Sequence, residues 1–125
     1  MKIIKSKKAP KAIGPYSQAI KTDKYVFTSG QIGIDPLTGE LVDNEFESQT
    51  FQVFRNLENI LIDSGSSMNR IIKLNIYLTD LENFQTLNNL LLKILNKENL
   101  PARATIEVSR LPKDAAIEVD VIAEI

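Results

Sequence analysis

Residues 72–78 read Ile72-Lys73-Leu74-Asn75-Ile76-Tyr77-Leu78. Apolar and polar side chains alternate along them, the pattern of a strand with one buried face. Two stretches of a different period bracket this strand. Upstream, from Glu47 to Asp63, Phe51, Phe54, Leu57 and Leu61, flanked by Val53 and Ile60, make one apolar stripe at helical spacing. Gly65 follows where a helix C-terminus is capped. Downstream, from Leu81 to Leu95, Phe84, Leu87, Leu91 and Leu95 repeat the stripe. Thr79 or Asp80 is placed to cap its start, and Pro101 blocks further helix.

Farther out lie more strands. Lys2 to Ile4 reads as a short one, and Tyr25-Val26-Phe27-Thr28-Ser29 is a β-branched and aromatic run that stops at Gly30. Asp35-Pro36-Leu37-Thr38-Gly39 has turn chemistry. Beyond the second helix, Ala104, Ile106 and Val108 alternate with Arg103, Thr105, Glu107 and Ser109. Ile117, Val119, Val121 and Ala123 alternate with Glu118, Asp120 and Ile122. Strands, helix, strand, helix and two strands predict an α+β fold, a sheet with two helices on one face. With no linker or repeat, residues 1–125 read as a single domain. The other face is expected to carry Arg103, Thr105, Glu118 and Ile122. It is mixed rather than purely polar and two helices cannot cover it, so a further copy of the chain is its expected cover.

Composition narrows the chemistry. A hydrophobic fraction of 43% and a charged fraction of 25% are ordinary globular usage and exclude a disordered or collagenous chain. Fifteen Lys and Arg against sixteen Asp and Glu leave a net charge of −1, which provides no global field for nucleic acid or an anionic membrane. Cysteine and histidine are both absent. There is therefore no disulfide, no thiol nucleophile, no imidazole base and no His- or Cys-ligated metal. The apolar run near the start is only Ile3-Ile4, too short for a signal-peptide core, and no run approaches the ~18–20 residues of a membrane span. A cytoplasmic protein is the expectation.

Six residues stand out as candidates. Arg103 follows Pro101-Ala102 at a strand start, where a guanidinium can grip a carboxylate through two parallel donors. Glu118 lies in the last alternating strand and can orient a water or act as a base. Ser29-Gly30-Gln31 is a strand end at which glycine lets backbone N–H groups approach a ligand. Gly14-Pro15-Tyr16-Ser17 is a turn that places the Tyr16 hydroxyl near a loop. Each taken alone reads equally as an ordinary surface arginine, a solvated strand residue, a turn or a packed ring. The lysines at positions 2, 5, 7, 8 and 11 lack the interleaved aromatics of a nucleic-acid surface, and no phosphate-cradling glycine motif occurs.

The ordered set carries more than its members. Gly14-Pro15-Tyr16-Ser17-Gln18-Ala19, Phe27-Thr28-Ser29-Gly30-Gln31-Ile32, Asp35-Pro36-Leu37-Thr38-Gly39, Gln49-Thr50, Asn88, Pro101-Ala102-Arg103-Ala104, Glu107-Val108, Arg110-Leu111-Pro112 and Ile117-Glu118-Val119 follow one another along the chain. Together they resemble the Rid/YjgF family of imine and enamine deaminases, from about residue 2 to the end. The resemblance implies a chorismate-mutase-like fold assembled as a homotrimer with sites between subunits. It implies hydrolysis of 2-aminoacrylate, 2-iminobutanoate and 2-iminopropanoate, released by PLP enzymes, to 2-keto acids and ammonia. No metal and no organic cofactor are expected. By the same resemblance Arg103 holds the substrate carboxylate, Glu118 positions the attacking water, and Tyr16, Ser29, Gly30 and Asn88 line the pocket. Thr105 stands where many members have Cys, and Asn89 to Leu95 is leucine-rich where members often have aromatics; core packing explains the latter best.

Two other functions fit parts of this pattern. One is a regulatory protein that binds small carboxylic acids through Arg103 without turnover, against which the retained Glu118 counts. The other is an endoribonuclease or translation inhibitor, against which the charge of −1 counts.

Overall fold

The structure is a computed structural model describing residues 1–125. In chain order its elements are β1 (Lys2–Ile4), β2 (Ala19–Lys21), β3 (Tyr25–Thr28), α1 (Phe46–Asp63), β4 (Ile71–Leu78), α2 (Phe84–Ile94), β5 (Ala102–Glu107) and β6 (Ile117–Glu124). The strands form one sheet in the order β1-β2-β3-β6-β4-β5. All neighbours are antiparallel except β4 and β5, which run parallel. A parallel pair needs a crossover, and α2 supplies it. The last strand, β6, inserts between β3 and β4, so the chain's end closes the middle of the sheet.

Both helices cover one face. Leu57 and Leu61 of α1 and Leu87 and Leu91 of α2 meet Val26, Leu74, Ile76, Val119 and Val121 in a single apolar core. Each fully buried aliphatic side chain of this kind contributes about 1.5–3 kcal/mol relative to exposure, so this layer dominates stability. Gly65 adopts φ +83°, the left-handed conformation that ends α1 as expected. The expected helix over 81–95 opens instead with a tight turn at Leu81–Asn83, where the Asp80 carboxylate accepts from the Glu82 N–H at 3.0 Å.

Several expectations change. Phe51 lies outside the core at 39% exposure, because the buried face of α1 runs on through the polar residues Gln49, Gln52 and Asn56. Phe84, the first residue of α2, also sits at the rim. In β4 the pairing register slips between Ile71 and Lys73. This bulge buries Ile71 and turns Ile72 outward, and the expected alternation resumes only at Leu74. Strand β2 was not expected, being three residues inside a turn-rich motif.

The largest correction concerns the uncovered face. Register pairs Arg103 with Leu74 and Thr105 with Ile76, both of which point toward the helices. Paired residues in neighbouring strands share a face, so Arg103 and Thr105 lie on the helix side, at the sheet edge. Of the four expected residues, only Glu118 and Ile122 are on the open face. There they join Tyr25, Phe27 and Ile106, exposed apolar or aromatic side chains around a central polar trio of Asn75, Tyr77 and Asp120. No helix is long and apolar enough to cross a membrane.

Candidate active site

Glu118 stands on β6 opposite Tyr77 of β4. Residues 29–31 run beside it, because Gln31 and Val119 exchange backbone hydrogen bonds of 2.8 and 3.0 Å. A Cβ on Gly30 would lie 2.1 Å from Oε1 of Glu118, so glycine is what lets the carboxylate occupy this position. Ser29 braces the neighbouring loop: its N–H donates to the Gln18 carbonyl at 2.9 Å and its hydroxyl to the Ser17 carbonyl at 2.6 Å. The phenol oxygen of Tyr16 accepts from the Ile13 N–H at 3.2 Å, which leaves its own O–H free to donate. Tyr16, Ser29, Gly30 and Glu118 thus line one cavity of about 320 Å³, walled also by Lys11, Ile13, Ile32, Ile34 and Pro112.

Burial, and secondarily the negative charge of Asp120, push the Glu118 carboxyl above the ordinary 4.5. The nearest side-chain donors of the sheet face are engaged elsewhere. Asn75 donates to Asp120 at 2.8 Å and Tyr77 donates to it at 3.0 Å. Glu118 is left as an acceptor without a protein donor, half-buried and open to a cavity.

Arg103 is built differently. Its Nη1 donates to Asn88 Oδ1 at 2.6 Å, and its guanidinium carbon sits 5.3 Å from the centre of the Phe84 ring. Both contacts come from α2 and together fix the guanidinium plane. The ion pairs of the chain are Arg110–Asp114 and Lys113–Glu40, so Arg103 has no carboxylate partner. It opens with Asn88 and Pro101 onto a second cavity of about 330 Å³ lined by Leu74, Leu91, Leu92, Leu95 and Leu100. Thr105, two residues along the same row, has a buried hydroxyl oxygen with no hydrogen-bond partner.

The six positions other than Thr105 therefore fall into two groups. Tyr16, Ser29, Gly30 and Glu118 surround one cavity, Asn88 and Arg103 the other, and no residue is common to both. Within one chain Arg103 and Glu118 belong to opposite faces of the sheet and do not meet. Two buried polar residues not among the candidate site residues support the first group. Gln18 is buried, accepts from the Ser6 N–H at 2.5 Å, and donates to the carbonyls of Ser6 at 3.1 Å and Pro10 at 2.7 Å. It holds the segment that rims the cavity. Asn56 donates to the Ile34 carbonyl at 2.9 Å and anchors the loop behind Gly30. Their signal is a polar residue inside an otherwise apolar context, which a count of apolar spacing passes over.

The fold and these sites define a small α+β protein with an oriented, unpaired arginine and an unpartnered glutamate in separate clefts. The family described as Endoribonuclease L-PSP matches residues 6–125. A RutC family protein of Pyrococcus abyssi is 47% identical over 121 residues, covering 97% of this chain and 94% of that protein. The 2-iminobutanoate/2-iminopropanoate deaminase of Mus musculus is 39% identical over 122 residues, covering 98% of this chain and 90% of the mouse protein. The crystal structure of RidA from the Antarctic bacterium Psychrobacter sp. superposes with a TM-score of 0.96 at 42% identity, covering all of both chains. The chain belongs to this family, the Rid/YjgF family that its motifs resemble.

Proposed function

We propose that this protein is a hydrolytic deaminase of reactive enamines and imines. Its substrates are 2-aminoacrylate, 2-iminopropanoate and 2-iminobutanoate released by PLP enzymes, and its products are 2-keto acids and ammonia. The observation that carries this reading is the division of one plausible chemistry between two cavities: an arginine with no anion and a glutamate with no donor. Two copies of the chain, each presenting one cavity to the other, complete the site, and a homotrimer of chorismate-mutase-like form makes three such sites. The open sheet face with Tyr25, Phe27 and Ile106 supports such an assembly. The mouse relative's name supports the reaction.

The chemistry requires little of the protein. An imine carbon is already electrophilic, so fixing the substrate and aiming a water suffice. Arg103, held flat by Asn88 and Phe84, takes the substrate carboxylate on its remaining N–H groups. Glu118 accepts a hydrogen bond from water and directs its oxygen to C2 of the imine. The water proton passes by way of Glu118 to the nitrogen, and the carbinolamine collapses to the keto acid as ammonia leaves. The Tyr16 hydroxyl is a donor left over for substrate or water, whereas the Thr105 hydroxyl is buried and lines neither cavity. An RNA-directed activity is less well supported, since the chain's net charge is −1.

The test generates 2-iminobutanoate in situ with threonine dehydratase and follows 2-oxobutanoate. Added protein should accelerate its release, and light scattering should give about three times 14.0 kDa. An unchanged rate overturns the deaminase reading, and a monomer at micromolar concentration overturns the shared site.

A further inference from the structure

Asp120 is the one charged side chain on the open face that has drawn donors to itself. It sits two residues from Glu118 on β6, and the alternation of the strand puts both carboxylates on the same face, roughly 7 Å apart along the chain. Tyr77 lies directly across from Glu118, so its hydroxyl is the donor expected to reach that carboxylate. It reaches Asp120 instead, at 3.0 Å, while Asn75, directly across from Asp120, adds a second bond at 2.8 Å. Two donors therefore converge on the Asp120 carboxylate. The same arrangement strips Glu118 of a protein donor and sets a fixed negative charge beside it.

We propose that Asp120 is a positioning residue that tunes Glu118, by diverting the Tyr77 hydroxyl and by placing a like charge beside it, so that Glu118 stays a free acceptor for water. This rests on the deaminase reading above and extends it to a residue that touches no substrate. The other groups facing Glu118 are few. Lys11 and Tyr16 line its cavity, and Tyr77 is already engaged. Burial first, and then the charge of Asp120, raises the Glu118 carboxyl. Tyr77 is raised too, by burial first and then by its hydrogen bond to Asp120.

The experiment follows Glu118 directly, by carbon-detected NMR titration of its side-chain carboxyl in the parent and in Asp120→Asn, alongside the pH dependence of kcat with 2-iminobutanoate. Removing the negative charge should lower the Glu118 midpoint by about half a pH unit, and the acid limb of kcat should move with it. The affinity for 2-oxobutanoate at neutral pH should stay within a few-fold, since Asp120 does not contact the ligand. In the parent alone, raising salt from low to molar concentration should lower the midpoint, because it screens Asp120 but not burial. This second measurement stands if Asp120→Asn fails to fold. A midpoint that ignores both the substitution and the salt overturns the proposal, as does a kcat reduced at every pH with its acid limb unmoved. A midpoint that shifts in a parent without imine turnover upholds the tuning and overturns the deaminase reading.

Discussion

Strands β5 and β6 each carry one of the two charged residues of the proposed site, and they are built in opposite ways. Strand β6 lies in the middle of the sheet, antiparallel to both β3 and β4, with Ile117, Val119, Val121 and Ala123 shielded and the intervening residues half-buried. Strand β5 is an edge, parallel to β4 alone, and all but Thr105 of its residues are exposed. Glu118 is therefore held by a rigid backbone and needs no side-chain support. Arg103, on a strand with one neighbour, is instead held by Asn88 and Phe84 of α2. A water-orienting base benefits from fixed position and partial desolvation, whereas a carboxylate clamp has to remain reachable at an edge.

The two strands should differ most in what they contribute to folding. Ile117→Ala removes a fully shielded side chain from the central strand and should destabilise by about 2–5 kcal/mol in denaturant unfolding. Ile106→Ala on the edge strand, 49% exposed, should cost about 0.5 kcal/mol or less in the separated subunit. A larger Ile106 effect that vanishes on dilution identifies that side chain as buried between copies. Equal losses at high dilution contradict the contrast.

Arg103→Ala should next abolish turnover and weaken 2-oxobutanoate binding by about a hundredfold or more, since each hydrogen bond to a charged group contributes ~1.5–3 kcal/mol. Arg103→Lys should recover little, because an ammonium lacks the planar fork. Calorimetry reads this, and parent-like affinity in Arg103→Ala removes the clamp from Arg103.

Glu118→Gln should separate the halves, with kcat falling by about tenfold to a hundredfold while keto-acid affinity changes only a few-fold. Imine hydrolysis at the parent rate takes the water away from Glu118. Gly30→Ala gives the smallest change. Its Cβ meets the end of a flexible side chain, so Glu118 shifts rather than the backbone, and kcat should fall by about tenfold at unchanged fold stability. A thermal midpoint lowered together with keto-acid binding shows that the loop, not the carboxylate, has moved.

Much of this architecture was legible from the chain. The alternation in Ile117 to Ala123 and the leucine positions of both helices gave the elements and most of the core, because burial on one face imposes a period of two or 3.6 on apolar residues. Period alone left Ile72 on the wrong side, since the bulge at residues 71–73 shifts the phase without altering composition. It passed over Ala19–Lys21, which three residues cannot announce, and over Gln18, Gln49 and Asn56, which are buried because backbone groups need them.

The sequence by itself determined the α+β order, the absence of thiol and imidazole chemistry, and, through motifs in a fixed order, the family and the residues around which a site is proposed. Only the tertiary structure decided which face each of them occupies. Alternation says that Arg103 and Glu118 sit on strands, but not which of two faces they share, because that choice is made by pairing register with distant strands. Pairing Arg103 with Leu74 and Glu118 with Tyr77 sends the two charges to opposite sides of one sheet. No property of either strand in isolation contains that separation, since it arises from hydrogen bonds between residues far apart in the chain.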